Sequence, residues 1–316
     1  MVYYAFVLRI HTIDCHYQRP QFAASYLLED GKKACFIENN TSLAVPHLLE
    51  ALKNASLTPD RVELIIVTHA HLDHAGGTAA LLSLCPNATV IAHPKAAKTL
   101  IDPTKLLASA KKVYGEEPFA RLYGEILPVP QARVRNMADN EELEWGETSL
   151  LFLHTLGHAT HHFCILEQST NTIFTGDAFG IRYPQVSKSF IFPSTSPIDF
   201  DPIEAKRSVK RIADTGAYIA YLTHFGSIQH LKIAANELIS HLDFHEDVLN
   251  KAIETSLSGT ELAQFCEDHL RTYFQSEIIK RKISDSKSTW DILELDIVIN
   301  AQGIAFVAER KRNAKR

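Results

Sequence analysis

The stretch IIVTHAHLDHAGGTAALL, residues 65–82, places three histidines and an aspartate within six consecutive positions, after a run of apolar residues. That run, VELIIVT at 62–68, is almost wholly apolar, which is typical of a strand buried on both faces. The residues that follow predict a helix, and Gly76 and Gly77 leave room for a close approach of the backbone. A chain that leaves the strand and starts a helix near Asp73 points four donor side chains into one volume: His69, His71, Asp73 and His74. Because imidazole and carboxylate are costly to bury alone and are ligands of zinc, iron and manganese, this stretch predicts a site for one or two cations.

One stretch cannot complete such a site, so further donors are expected at the ends of other strands. Three ligand-type residues each follow an apolar strand beside a glycine: His158 in HTLGHATHH, Asp177 in IFTGDAFG and His224 in IAYLTHFG. Open α/β sheets place their sites at the carboxyl ends of strands. The sequence therefore predicts that these three side chains join the first four, with His161 and His162 close enough to His158 to orient it.

Strands and helices alternate along the first ninety residues, which indicates a layered α/β architecture. The predicted strands lie at 2–10, 22–29, 33–38 and 62–68, with a helix at 43–55. Residues 94–127 are helix-like and interrupt the strand pattern, so they are interpreted as a lid-like insertion. Asp201 before Pro202 has the character of a helix N-cap. Because helical stretches predominate beyond residue 230, we expect a catalytic domain over 1–230 and a C-terminal helical extension over 231–316.

Composition narrows the class of partner. The 316-residue chain has a formal net charge of −5, which argues against nucleic acid because proteins that bind it usually present a basic surface. The five cysteines are scattered with no CxxC pair, so we expect buried, reduced thiols and a cytoplasmic protein. No apolar run approaches the length that spans a bilayer. We therefore expect a small-molecule substrate, while apolar positions of the last helices, such as Leu238 and Leu242, favour a homodimer.

The donor pattern resembles that of the metallo-β-lactamase-fold hydrolases. THAHLDH matches their HxHxDH signature, and LGH at 156–158, TGD at 175–177 and LTH at 222–224 match the later ligand motifs in the same order. The resemblance covers roughly residues 20–230 and implies an α/β fold, a four-layer αββα sandwich with the site at one edge of its two sheets. It also implies a ligand set for two cations. His69, His71 and His158 would hold the first, Asp73, His74 and His224 the second, and Asp177 would bridge them.

Within this superfamily the chain is most similar to the glyoxalase II-like branch, because it has an aspartate in the bridging position and no cysteine ligand. The pattern differs from that of the flavodiiron branch, which has a glutamate where this chain has His71. One departure concerns the third strand. The family usually follows it with an aspartate and a glycine, whereas FIENN here has Glu38 in the aspartate position. Glu38 is expected to support the metal loop without binding metal.

The implied site predicts a specific chemistry. Two divalent cations about 3.5–4 Å apart would lower the pKa of a bridging water toward neutrality and polarise a carbonyl or phosphoryl oxygen. The resemblance therefore implies a binuclear hydrolase that uses a metal-bridging hydroxide on an acyl substrate, either a thioester, a lactone or another carboxylic ester. Zinc is favoured, with iron or manganese as alternatives, and Asp73 would help to orient the water.

Two questions of mechanism stay open at this stage. Tyr183, six residues after Asp177, is a candidate donor to the oxyanion or leaving group, and the alternative is a tyrosine that only packs in a loop.

The class of reaction also has alternatives. A mononuclear iron dioxygenase acting on a persulfide would need only two histidines and one carboxylate as metal ligands. A phosphodiesterase or nuclease is a further alternative, although the acidic charge and the lack of a basic, aromatic-rich arm argue against it.

Overall fold

A computed structural model describes residues 8–195 and 198–314, without the side chains of residues 113 and 114. The chain forms two compact units. The first, the sandwich unit, runs up to His154 and adds His161–Gly176 and Thr215–Gln229. The second, the helical unit, contains Thr155–Thr160, Asp177–Asp214 and the chain from His230 onward. The domain boundary expected at residue 230 stays a prediction, since the helical unit also includes two earlier segments.

Two mixed six-stranded sheets form the sandwich unit. In spatial order the first sheet contains β1 (Arg9–Asp14), β2 (Ala24–Asp30), β3 (Lys33–Ile37), β4 (Val62–Ile66), β5 (Thr89–Ala92) and β6 (Val134–Asn136). The second contains, from one edge to the other, β7 (Glu142–Trp145), β8 (Thr148–His154), β9 (Phe163–Glu167), β10 (Thr172–Phe174), β11 (Ile219–Leu222) and β12 (Gly226–Gln229). Strands β3 to β6 pair in parallel, as do β10 and β11, and the other neighbours are antiparallel.

Helices accompany the strands in both units. The sandwich unit contains α1 (Val45–Asn54), α2 (Leu72–Ala75), α3 (Thr78–Leu84), α4 (Pro94–Ile101), α5 (Thr104–Tyr114) and α6 (Glu116–Tyr123). The helical unit contains α7 (Pro202–Asp214), α8 (Leu231–Glu254), α9 (Gly259–Lys280) and α10 (Lys287–Ala314). Residues 94–127 are therefore largely helical, as predicted. Among the described residues, no helix combines the length and the apolar character needed to cross a membrane.

Strand β4 explains why the run before the histidines is apolar on both faces. Leu64 and Ile66 belong to the core between the two sheets, whereas Ile65 and Val67 belong to the core beneath the helices of the first sheet. Successive side chains of a strand point to opposite faces, so both faces of β4 must be apolar. The histidines therefore follow a strand inside the sheet, which lies between β3 and β5.

The first described strand ends later in the sequence than predicted. Residues 1–7 lie outside the described residues, and β1 extends from Arg9 to Asp14 rather than ending at residue 10. Among the described strands it pairs only with β2, at the edge of the sheet, and it is mostly half-exposed. Polar residues such as Thr12 are therefore tolerated there and leave no apolar run to mark it.

The expected burial of the cysteines is confirmed by the structure. All five cysteines are buried and none forms a disulfide. Burial raises the pKa of Cys15 and of Cys266 to about 12, so these thiols stay protonated at neutral pH.

Candidate metal centre

The metal loop, residues 67–74, joins β4 to the first turn of α2. His71 has an extended backbone and is the N-cap of α2, which begins at Leu72. His69 precedes this turn, whereas Asp73 and His74 lie within the short helix. His69 and His74 are completely buried, whereas His71 and Asp73 are partly exposed. The transition from strand to helix predicted near Asp73 is thus confirmed.

His224, which follows β11, lies beside two donors of the metal loop. Donor atoms of Asp73, His74 and His224 all lie within 4.8 Å of one another. His224 Nε2 is 3.4 Å from Asp73 Oδ2, and His74 Nε2 is 3.9 Å from the same oxygen. In a tetrahedral zinc site with metal–ligand distances of about 2.0–2.1 Å, two ligand atoms lie roughly 3.3–3.4 Å apart. The spacing therefore suits ligands that share a cation better than a charge-assisted hydrogen bond of about 2.7–2.9 Å.

The other ring nitrogen of these histidines faces an acceptor of the protein. His224 Nδ1 lies 2.9 Å from the carbonyl oxygen of Phe22, which can only accept, so Nδ1 carries the proton. His74 Nδ1 lies 3.5 Å from Glu38 Oε2. In a neutral imidazole, a protonated Nδ1 leaves Nε2 as the atom with a free lone pair. At His224 this hydrogen bond fixes the tautomer and the ring direction that a metal ligand needs.

His69 and His71 form a second contact within the metal loop. His69 Nε2 is 2.8 Å from His71 Nδ1, and His69 Nδ1 is 3.0 Å from the Thr68 hydroxyl. His161 and His162, expected beside His158, contact this loop. The Ala70 N–H donates to His161 Nδ1 at 3.3 Å, and the ring centroid of His162 is 4.9 Å from that of His69. Four imidazoles thus cluster at the metal loop, those of His69, His71, His161 and His162.

Glu38 supports the metal loop from the end of β3, in the position where the sequence departs from the family pattern. Its Oε1 accepts the Thr68 N–H at 3.1 Å, while Oε2 faces His74. The residue is 1% exposed and adopts a left-handed backbone with φ of 63°, which a non-glycine residue rarely does. Such backbones cost about 1–3 kcal/mol and concentrate at functional sites. The expected supporting role of Glu38 is consistent with these contacts.

Two asparagines after Glu38 bind the same loop through its backbone. The N–H groups of Asn39 and Asn40 both donate to the carbonyl oxygen of His74, at 3.0 and 3.1 Å. Asn40 Nδ2 also donates to the carbonyl oxygen of Asp73 at 2.7 Å. A Cβ at Gly77 would lie 2.9 Å from the Asn39 carbonyl oxygen, so only glycine permits this approach. The sequence reasoning missed both asparagines, because nothing local indicates which backbone they bind.

In the helical unit, His158 and Asp177 form a pair of their own. His158 Nε2 lies 3.4 Å from Asp177 Oδ2, and the two residues are 5% and 6% exposed. His158 Nδ1 donates to the carbonyl oxygen of Ser194 at 3.1 Å, which again leaves Nε2 as the nitrogen with a lone pair. The Ser194 hydroxyl lies 3.4 Å from Asp177 Oδ2. Ser194 thus contacts both donors, and the sequence reasoning missed it.

Helix α7 positions the loop that carries His158. Gly157 has φ of 113°, and a Cβ there would lie 2.1 Å from the backbone nitrogen of Ala205. The Asp201 N–H donates to the Gly157 carbonyl oxygen at 2.9 Å. The Ser208 hydroxyl donates to the carbonyl oxygen of Leu156 at 2.6 Å. The start of α7 therefore lies directly against the residue before His158.

The predicted cap of α7 is confirmed. Asp201 Oδ1 accepts the N–H groups of Ile203 and Glu204, at 2.9 and 3.1 Å. These are two of the N–H groups that the first turn of a helix cannot satisfy internally.

The candidate residues therefore fall into two sets. The sandwich donors are His69, His71, Asp73, His74 and His224. The helical donors are His158 and Asp177. Tyr183 lies in the helical unit, where its side chain is 1% exposed and its ring centroid is 6.0 Å from that of Phe192. In both sets the donor chemistry, the fixed tautomers and the nitrogen–oxygen spacing fit a divalent cation such as zinc.

Comparison with known proteins gives relatives with the same fold. Metallo-beta-lactamase fold-containing protein ST1585 of Sulfurisphaera tokodaii is 29% identical over 215 residues, which cover 63% of this chain and 78% of the relative. A crystal structure of ST1585 from Sulfolobus tokodaii has a TM-score of 0.62 at 22% identity, covering 93% of this chain and 97% of that chain. This likeness confirms the predicted α/β sandwich with its C-terminal helical extension.

Two relatives have names that state an activity. Atrochrysone carboxyl ACP thioesterase of Aspergillus fumigatus is 25% identical over 213 residues, covering 66% of this chain and 52% of the relative. Hydroxyacylglutathione hydrolase of Francisella philomiragia is 28% identical over 152 residues, covering 48% of this chain and 45% of the relative. The chain thus spans about half the length of these two relatives.

The family model described as the metallo-beta-lactamase superfamily matches residues 20–224. This segment is more than half of the chain and contains both the sandwich donors and the helical donors. The chain therefore belongs to the metallo-β-lactamase superfamily.

Proposed function

We propose that this metal-dependent hydrolase of the metallo-β-lactamase superfamily brings its sandwich donors and helical donors together in one binuclear centre that hydrolyses an acyl substrate. His69, His71 and His158 would bind one cation, and Asp73, His74 and His224 the other. Asp177 would bridge the two. Zinc is the proposed metal because neutral imidazole and carboxylate are its common ligands, and no cysteine takes part.

The observation that carries the proposal is the state of the buried imidazoles. His224 and His158 are nearly buried, and each gives its Nδ1 proton to a backbone carbonyl. Each then presents Nε2 at 3.4 Å from a carboxylate oxygen, that of Asp73 or Asp177. Burying imidazoles and carboxylates together is costly unless a partner satisfies them, and a divalent cation would satisfy both.

The residues of this chain divide the remaining work. When bound, the cations would lower the pKa of a water and polarise the carbonyl group of the substrate. Asp73 is suited to orient the attacking water, because its side chain is 27% exposed while His74 and His224 beside it are buried. The buried histidines would exclude other water from the site, which strengthens the electrostatic interactions within it.

The proposed substrate is a thioester or another carboxylic ester. Two relatives support this class, one named as a thioesterase and the other as a hydroxyacylglutathione hydrolase. The second also favours the glyoxalase II-like branch. Tyr183 stays a proposed donor to the substrate, but its burial against Phe192 favours the alternative in which it only packs.

The first experiment is elemental analysis of protein purified without added metal, with His71→Ala as the control. About two zinc ions per chain, or a zinc mixture with iron or manganese, that are lost in the variant would support the binuclear site. A single iron per chain, with oxygen uptake on a persulfide, would instead indicate the dioxygenase. Absence of stoichiometric metal after reconstitution would contradict the proposal.

The second experiment is a substrate panel on the metal-loaded protein. Thioesters, lactones and simple carboxylic esters would be compared with a phosphodiester at equal concentration. Turnover of the acyl compounds that is abolished by chelation and restored by zinc is the expected result. Turnover of the phosphodiester alone would replace the acyl proposal with the phosphodiesterase.

A further inference from the structure

The helical donors depend on the position of one residue, Ser194. Its carbonyl oxygen accepts the His158 Nδ1 proton at 3.1 Å, and its hydroxyl is 3.4 Å from Asp177 Oδ2. A shift of Ser194 would therefore disturb the tautomer of one donor and the orientation of the other. What holds Ser194 in place decides the geometry of this pair.

Helix α10 holds the residues on either side of Ser194 through one side chain, Asn300. Asn300 Nδ2 donates to the carbonyl oxygen of Pro193 at 2.9 Å. Its Oδ1 accepts the Thr195 N–H at 2.7 Å and the Thr195 hydroxyl at 3.0 Å. The side-chain amide thus pairs with backbone groups of Pro193 and Thr195, as the backbone of a neighbouring strand would. The Thr195 hydroxyl also lies 3.0 Å from the Asn300 carbonyl oxygen.

The setting of Asn300 makes this contact specific. The residue is 1% exposed, in a helix segment where most of the other buried residues are apolar, including Ile297, Ala301 and Ile304, although Asp296 one turn earlier is also buried. A buried amide in such a segment is unfavourable unless its donors and acceptor are bonded. Here the amide bonds to the segment 193–195, where Thr195 is itself completely buried. Packing alone would be served better by leucine, so the asparagine indicates a positioning role.

We propose that Asn300 is a positioning residue of the metal centre, which fixes Ser194 and through it His158 and Asp177. This inference rests on the proposed function, because it takes His158 and Asp177 as metal ligands. It gives the C-terminal helix α10 a task in catalysis although that helix supplies no ligand. The expected size follows from other metal sites, where a change in a residue that orients a ligand weakens metal binding about 10-fold to 100-fold.

The test uses the full-length protein with three variants. Asn300→Ala removes all the side-chain bonds to the segment 193–195. Thr195→Val is nearly isosteric and removes only the hydroxyl bonds, so it keeps the fold if Asn300→Ala does not. Ile304→Ala is the control, because it cuts a completely buried side chain one turn further along α10 and lowers stability without touching the polar contact. For each protein, the melting temperature, zinc affinity by chelator competition and the visible spectrum of the cobalt-substituted form are measured.

We expect Asn300→Ala to lose zinc affinity and to show an altered cobalt spectrum, and Thr195→Val to show a smaller change of the same kind. Ile304→Ala should show neither change, although its melting temperature should be similar to that of Asn300→Ala. The inference would be overturned if Asn300→Ala and Thr195→Val had the same zinc affinity and the same cobalt spectrum as Ile304→Ala. A further variant, His158→Ala, distinguishes a failure of the proposed metal centre from a failure of the proposed role of Asn300. If His158→Ala binds zinc as the wild type does, the proposed metal centre is wrong. If His158→Ala loses zinc but Asn300→Ala does not, only the role of Asn300 is wrong.

Discussion

The sandwich donors and the helical donors use the same chemistry but are supported in different ways. Four sandwich donors come from six consecutive residues, and a loop at the end of the adjacent strand β3 binds their backbone through Glu38, Asn39 and Asn40. His158 and Asp177 lie 19 positions apart, and Ser194 contacts both of them. Behind Ser194 lies Asn300 of α10, more than a hundred positions along the chain.

This difference shows that the contacts which hold a set of donors depend on how far apart the donors lie in the sequence. A contiguous ligand set shares one loop, so neighbouring backbone groups can fix all of it at once. A dispersed set has no common loop, so a residue elsewhere in the chain, here Ser194, contacts both donors and is itself held by a distant helix. We therefore expect substitutions in α7 and α10 to act on the helical donors, and substitutions near β3 to act on the metal loop.

The largest expected effect comes from removing one ligand of each set. His74→Ala and His158→Ala should each lower the metal content and reduce hydrolysis by more than about 100-fold, because even residues that only orient a ligand contribute about 10-fold to 100-fold. The measurement is metal per chain together with kcat/KM. His269→Ala is the control, since His269 lies partly exposed on α9. Full metal content in either ligand variant would contradict its assignment.

Next in size is the support of the metal loop by Glu38. Glu38→Ala removes the acceptor of the Thr68 N–H and the partner of His74, and a buried donor left without an acceptor costs about 1–3 kcal/mol. We also expect zinc affinity to fall about 10-fold or more. Glu38→Gln keeps an acceptor oxygen for Thr68 and should be milder. Urea unfolding and chelator competition would measure both effects, and a wild-type zinc affinity in Glu38→Ala would show that Glu38 has no such role.

The same contrast explains what could be predicted from the sequence. The strand and the turn of the metal loop could be predicted because both are local patterns. The donor residues stand out as candidates because they cluster in this loop or follow an apolar strand beside a glycine. Ser194, Asn40 and Asn300 could not be found in this way, since a hydrogen bond to backbone far along the chain leaves no local signature. His161 accepts the Ala70 N–H of the metal loop, a contact that its position three residues after His158 does not indicate. Its expected contact with His158 stays a prediction.

A third prediction concerns acid stability in the helical unit. His245 of α8 is completely buried and donates from Nδ1 to the His241 carbonyl oxygen at 2.7 Å. Burial lowers the pKa of His245 from 6.5 to about 4. As the pH falls, His245 takes up a proton near pH 6.5 in the unfolded chain but only near pH 4 in the folded protein. The stability that neutral His245 contributes is therefore present above about pH 6.5 and falls between these values, by up to about 1.4 kcal/mol per pH unit.

His245→Leu should flatten this pH dependence, because it removes the titrating group. The free energy of unfolding in urea would be measured for both proteins at several values between pH 7 and pH 4.5. Equal slopes for the variant and the wild type would mean that other groups cause the loss of stability in acid.

The smallest effect is expected at the start of α7, where Asp201 caps the helix that lies against Gly157. Asp201→Ala should lower the free energy of unfolding by about 1 kcal/mol, the usual contribution of an N-cap. Asp201→Asn should stay close to the wild type, because its side-chain oxygen still accepts the N–H groups of Ile203 and Glu204. Ser258→Ala is a matched control, since Ser258 occupies the N-cap of α9 without a side-chain cap bond.

Zinc affinity distinguishes a local cap from a contribution to the metal centre. If the start of α7 fixes the loop before His158, Asp201→Ala should weaken zinc binding by a small factor while Ser258→Ala leaves it unchanged. A loss of stability in Asp201→Ala with unchanged zinc affinity would restrict the distant support of the helical donors to Ser194 and Asn300. Helix α7 would then contribute to folding alone, and the contrast between the two donor sets would depend on α10.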